Sequence, residues 1–105
     1  MSPRVIHQPR VAYDTARAIV SIAAIDDDEL LIWFATNLGD LLGPDTRLAL
    51  LDTRRRLRQA DQPDRPFIET GQWRVRLEDL FREHPDLTED AYLLTMRTAT
   101  RLSRH

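Results

Sequence analysis

The sequence has no cysteine and no lysine, and only three glycines among its 105 residues. Without cysteine, disulfides, thiolate metal ligands and a cysteine nucleophile are excluded. The glycines are scattered, so no Gly-rich loop for binding phosphates is present. No apolar run approaches the roughly 20 residues that span a bilayer. No apolar core of a signal peptide follows Arg4 either. We therefore expect a cytoplasmic protein without membrane contact.

Residues that commonly carry catalysis are present but not in productive patterns. The histidines, His7, His84 and His105, lie far apart and lack the spacing of a metal site. The acidic residues 26–29 are consecutive, so their carboxylates would point around a helix; Asp26 as its N-cap explains them. No nucleophile elbow or Ser-His-Asp pattern occurs. The sequence thus predicts a non-enzymatic protein with no catalytic residue, metal or cofactor.

Helical patterning dominates what the sequence does contain. We expect residues 1–105 to form a single domain, with residues 1–9 loosely ordered. Residues 11–25 lack glycine and proline and are apolar on more than one face, which is typical of a central helix. Residues 30–42 and 46–60 predict two more helices, separated by Gly43-Pro44. A short helix before Pro85 and a final helix capped by Asp86 or Thr88 complete the set.

One stretch has a different period. In residues 72–77, QWRVRL, apolar and arginine side chains alternate as in a half-buried strand. Thr70 and Gly71 supply a turn signal just before it. We therefore predict a short hairpin of residues 66–69 against 72–77. The predicted fold class is mainly α, with four to five helices and one short β-hairpin, an arrangement compatible with a winged helix.

Charge is unevenly distributed along the chain. The formal net charge is only −2, but residues 47–76 contain eight arginines and four acidic residues, a local charge of +4. A local basic surface, rather than the net charge, decides whether a polyanion binds. All basic residues are arginine, whose planar guanidinium matches phosphate and carboxylate geometry. A GC-rich genome explains the same arginine usage equally well.

Six arginines form the predicted binding surface. Arg47, Arg54 and Arg58 of the third helix fall on one line, and Arg74 and Arg76 would point the same way along a strand. If the helix packs against the hairpin, both sets make one patch that contacts phosphates with salt-dependent affinity. The predicted nucleic-acid-binding residues are Arg47, Arg54, Arg55, Arg58, Arg74 and Arg76. Alternatively, these arginines pair with the acidic residues 26–29 and 78–90, within the fold or across a dimer.

Residues 65–80, RPFIETGQWRVRLEDL, resemble the wing of small excisionase and MerR-like winged-helix DNA-binding proteins. In that family a strand enters a glycine-containing turn, followed by a basic R-V-R strand and a helix with an acidic pair. The matching residues are Phe67, Gly71, Arg74, Val75, Arg76, Leu77, Glu78, Asp79 and Leu80. The resemblance implies that Arg74 and Arg76 contact the DNA backbone. It also implies that residues 46–60 enter the major groove.

Two functions follow as expectations. The first is a small DNA-binding transcription regulator or excisionase-like accessory protein, acting as a homodimer on double-stranded DNA. The second is a protein–protein interaction module, such as an inhibitor, antitoxin or assembly factor. The second rests on the apolar helices at residues 11–25 and 30–42 and on charged patches that alternate in sign.

Overall fold

The computed structural model describes residues 7–59 and 61–104, and in them the chain is entirely helical, without a strand. The predicted fold class is therefore wrong: the domain is all-α and has no β-hairpin in the described residues. The helices are α1 (Gln8–Ala24), α2 (Asp28–Leu42), α3 (Pro44–Gln59), α4 (Arg65–Glu83) and α5 (Leu87–Ser103).

Helix α1 lies at the centre and contacts each of the other four helices, most extensively α4. This confirms the central helix predicted at residues 11–25. His7 caps its start, where Nδ1 accepts a hydrogen bond from the Arg10 N–H at 3.2 Å, and Pro9 occupies the first turn. Of the residues expected to be loosely ordered, 1–6 lie outside the described residues, and His7 to Pro9 begin α1.

Helices α2 and α3 form an antiparallel pair joined by one residue. Asp27, rather than the expected Asp26, is the N-cap of α2, and its carboxylate accepts from the Leu30 N–H at 3.0 Å. Gly43 ends α2 with a φ of 105°, a left-handed conformation that favours glycine. Pro44 then opens α3, as proline's fixed φ allows at a first helical position. The predicted stop at Gly43-Pro44 is confirmed.

Helix α4 replaces the predicted hairpin, since residues 66–69 and 72–77 belong to one continuous helix. The side chains of Glu69, Trp73, Leu77 and Phe81 are spaced four residues apart and are all buried. That spacing places them on one helical face, which packs against α1. Because Trp73 and Leu77 fit both a two-residue and a four-residue period, the alternation was ambiguous.

The core lies between α1 and the surrounding helices, with Ile19, Ile22, Phe34 and Phe81 fully buried in it. A hydroxyl pair at 2.8 Å, Thr15 Oγ1 with Thr95 Oγ1, links α1 to α5. The domain measures 49 × 26 × 24 Å along its principal axes. Within the described residues no helix is both long enough and apolar enough to cross a bilayer.

Candidate functional site

Four of the six predicted arginines face a carboxylate of the same chain. The ion pairs are Arg54–Asp28 at 3.1 Å, Arg55–Asp52 at 3.0 Å, Arg58–Asp26 at 3.4 Å and Arg74–Glu78 at 3.6 Å. Pairing with residues 26–29 and 78–90 was the alternative interpretation of these arginines. The structure supplies such partners for Arg54, Arg58 and Arg74, while Arg55 pairs within its own helix.

The antiparallel course of α2 and α3 explains two of these pairs. The acidic start of α2 lies beside the arginine-rich end of α3, so Arg54 reaches Asp28 and Arg58 reaches Asp26. Both aspartates are highly exposed, with side-chain exposures of 82% and 98%. Arg58 is also more than half exposed, so its pair contributes about 0–1 kcal/mol and Asp26 exchanges readily for another carboxylate, whereas the Arg54 side chain is only 10% exposed.

Arg47 lies at the other end of the α2–α3 pair, beside Gly39. Its methylene groups occupy the space that a Cβ at Gly39 would need. The glycine therefore lets the start of α3 approach α2 closely. No carboxylate of the described residues lies within ion-pair distance of Arg47.

Arg74 and Arg76 do not share a surface, because successive helical residues are rotated by about 100°. Because they are two residues apart, Arg74 and Arg76 lie on nearly opposite sides of α4. On a strand, the same spacing would place both side chains on one face. Arg76 lies over the Trp73 ring, 5.3 Å from its centroid, on the side of α4 that faces α3. The predicted single patch of helix and hairpin arginines thus does not form as a wing surface.

An ion cluster around a buried carboxylate lies between α3 and α4, and no sequence pattern predicted it. Glu69, with a side-chain exposure of 1%, accepts hydrogen bonds from Arg56 Nε at 3.0 Å and from Arg56 Nη2 at 2.8 Å. Arg65 approaches the second carboxylate oxygen at 3.5 Å. The hydrogen bond to Glu69 raises the pKa of Arg56, against a smaller opposing effect of burial.

A hydrogen-bonded tryptophan adjoins this cluster. Trp73 Nε1 donates to Thr53 Oγ1 at 2.8 Å, and the Thr53 hydroxyl donates to the Ala49 carbonyl at 3.0 Å. All three groups are thereby satisfied, as buried polar groups require. Arg56 also lies beside Thr53, so the contacts form one network that fixes α4 against α3. Together they give Trp73 a structural role.

The outer side of α3 carries a shallow cavity of about 350 Å³. It is lined by Leu51, Arg54, Arg55, Arg58 and Gln59. Arg54 is nine-tenths buried, and its Nη1 has no hydrogen-bond acceptor among the described residues. That nitrogen has almost no accessible surface, so it lies beneath the pocket and is not presented to a ligand. We call this cavity the α3 pocket.

Exposed apolar side chains lie beside the α3 pocket. Ile32 and Leu48 are both 64% exposed, and Leu51 is 49% exposed. Ile32 follows Asp28 by one turn of α2, and Leu51 precedes Arg54 by one turn of α3. Both therefore lie on the edge marked by the Asp28–Arg54 pair. We call Ile32, Leu48 and Leu51 the α3 apolar patch.

Other depressions are less distinctive. One of about 430 Å³ lies between the start of α2 and the end of α5 and is lined by both acidic and basic residues. Beside it Arg101 stacks on Trp33, 4.0 Å from the ring centroid. The described residues contain no group of histidine, aspartate and glutamate that could hold a metal ion. His84 is exposed at the C-cap of α4.

No protein-family model, curated protein or solved structure matches this chain.

Proposed function

We propose that this domain is a non-enzymatic protein-interaction module, whose α3 pocket and α3 apolar patch bind a segment of a partner protein. The partner segment has apolar side chains and at least one carboxylate. The carrying observation is the juxtaposition of exposed Ile32, Leu48 and Leu51 with the mostly apolar α3 pocket and with the more than half-exposed side chains of Arg55 and Arg58.

The apolar character of the partner segment is inferred from exposed apolar side chains on α2 and α3. Single exposed apolar residues are common on protein surfaces, but adjacent ones beside a concavity are typical of interaction sites. Leu48 and Leu51 are neighbours on one face of α3, and Ile32 adjoins them from α2. An amphipathic helix laid along such a surface would bury these side chains.

The carboxylate of the partner segment is inferred from the arginines of α3. Arg55 and Arg58 have side chains that are more than half exposed, and each pairs only with an exposed aspartate. A carboxylate of the partner can replace one of these aspartates at little cost. Complementary charge of this kind adds specificity and association rate to an apolar contact.

The DNA-binding function stays a prediction that no observation tests. Its structural basis is reduced, because residues 65–80 form no wing and Arg54, Arg55, Arg58 and Arg74 already face carboxylates. The same experiment can address it, since phosphate contacts weaken strongly between about 50 and about 200 mM salt.

The test is affinity capture from the source organism's lysate, followed by reconstitution with the purified captured protein. A Leu48→Ser/Leu51→Ser variant should weaken the reconstituted complex at least tenfold, about 1.4 kcal/mol. Hydrogen exchange should show protection of α3 on binding. Leu93→Ser is the matched control, because Leu93 is 46% exposed on α5.

Equal binding by the α3 variant and the control would refute the proposal. A duplex DNA titration on the same proteins gives the competing outcome. Salt-sensitive DNA affinity that survives Leu48→Ser/Leu51→Ser but is lost in Arg47→Ala/Arg58→Ala would favour the DNA-binding function instead.

A further inference from the structure

We infer that the outer face of α4 is a self-association surface, on which a second copy of this chain pairs antiparallel with α4 around Gly71. The inference is independent of the partner proposed for α3. Phe67 is 79% exposed, the highest value among the large apolar residues that the structure describes, and Val75 is 54% exposed. With Ile68 they form an apolar row on the side of α4 opposite the buried Trp73 face.

The row has the internal symmetry that a twofold interface needs. In such an interface residue i contacts residue j of the partner and j contacts i. Phe67 lies four residues before Gly71, and Val75 lies four residues after it. An antiparallel pair centred on Gly71 therefore sets Phe67 of each copy against the other copy's Val75. Ile68 lies at the edge of the same contact.

Gly71 has no evident role within the monomer. It lies mid-helix, lacks the positive φ found at Gly43, and a Cβ added to it would meet nothing within 4 Å. Glycine inside a helix costs roughly 0.5–1 kcal/mol relative to alanine. A close-packed neighbouring helix explains the residue, since small side chains let two helix backbones approach.

The charges beside the row are mostly paired within α4. Arg74 pairs with Glu78 at 3.6 Å, and Arg82 pairs with Asp79. In the antiparallel register, Glu78 of each copy lies opposite the exposed Asp64 of the other copy. The proposed contact is therefore apolar, and added salt, which screens these like charges, should strengthen it.

The small area of this apolar row limits the expected affinity of the dimer. Stable interfaces bury about 800 Å² per partner, and one helix face with three apolar side chains provides less. We therefore expect a dimer with a dissociation constant of about 10–100 μM, reversible on dilution.

Cysteine crosslinking tests the geometry directly, because the natural chain has no cysteine. In Gly71→Cys the two new thiols face each other across the twofold axis, within the Cβ–Cβ range of about 3.5–4.5 Å that a disulfide needs. We expect a covalent dimer under mild oxidation. Met96→Cys is the control, since Met96 on α5 has the same 54% exposure as Val75 and should remain mostly monomeric.

Sedimentation equilibrium between about 5 and about 500 μM tests the association without a crosslink. Gly71→Gln places a long side chain at the axis but fits the monomer, so it should weaken dimerisation at least tenfold. Val75→Ser should weaken it as well, and Met96→Ser should not. Circular dichroism and thermal melting of dilute protein confirm that each variant folds.

Two results would overturn the inference: a natural chain that stays monomeric throughout this range, or dimers that form equally well in Gly71→Gln. Leu48→Ser/Leu51→Ser serves to separate the two proposals. It should dimerise normally even though it loses the α3 partner, so failure at one surface leaves the other unaffected.

Discussion

At the scale of single residues, Glu69 is a buried carboxylate contacted by two arginines. It is an acidic group with almost no exposed surface, held by Arg56 through two nitrogens and approached by Arg65. Burying a carboxylate is costly unless charged hydrogen bonds compensate it, and a bidentate arginine offers the best geometry for that. The cluster therefore specifies how the end of α3 meets α4 more than it adds net stability.

Glu69→Gln should be strongly destabilising. The amide keeps the shape but loses the charge, and its NH₂ group would face the Arg56 guanidinium, donor against donor. Removing one partner of a buried pair costs about 3–5 kcal/mol, and we expect about 2–4 kcal/mol here because Arg56 is partly exposed. Urea denaturation measures the change in the free energy of unfolding.

Glu78→Gln is the control, because Glu78 forms an exposed pair with Arg74 and should cost less than about 1 kcal/mol. Equal losses in the two variants would contradict the special role of Glu69. Arg56 adds no pH dependence to the free energy of unfolding near neutral pH. Its raised pKa gives stability that is fully present below the unfolded-state value and is lost only at more alkaline pH.

At the scale of elements, the sequence pattern of α4 does not decide between a strand and a helix. Two structures fit the apolar positions of this segment. One is an alternating strand followed by a helix, and the other is a single continuous helix. These positions are Trp73, Val75, Leu77 and Phe81. Val75 separates the two, because a strand would bury it with Trp73, whereas the helix exposes it. That choice is made by packing against α1, a long-range interaction that local periodicity does not contain.

Gly71→Ala distinguishes a helix from a turn at this position. In a helix, alanine should raise the free energy of unfolding by about 0.5–1 kcal/mol, since its Cβ has open space. In a turn that needs a positive φ, the same change would lower it. The measurement is urea denaturation at low protein concentration, where self-association does not contribute. A loss of stability would contradict the continuous helix.

At the scale of the whole molecule, α1 organises the domain. Its glycine-free, alanine-rich sequence correctly predicted a central helix, because small side chains on several faces let other helices pack closely. Ala12, Ala16 and Ala23 have no exposed surface. The ion pairs around it were not predictable as specific partners, because Arg54 and Asp28 or Arg58 and Asp26 are brought together only by the α2–α3 turn.

Ala16→Leu should destabilise the domain by about 1–3 kcal/mol, because three extra carbons must enter a close-packed contact. Ala24→Leu, on the exposed side of the same helix, should change the free energy of unfolding by less than about 0.5 kcal/mol. Thermal and urea unfolding of both proteins measure the difference. If Ala16→Leu is tolerated as well as Ala24→Leu, α1 is not tightly enclosed.

The single-residue corner at Gly43 has a mechanical consequence. Glycine itself is flexible, but Pro44 restricts the next residue and the packing of α2 against α3 opposes hinge motion at this corner. Ile32 and Leu51, which belong to different helices, are therefore held at a constant separation before any encounter. A partner protein would therefore bind a preformed surface, and little conformational entropy of this domain would be lost on binding.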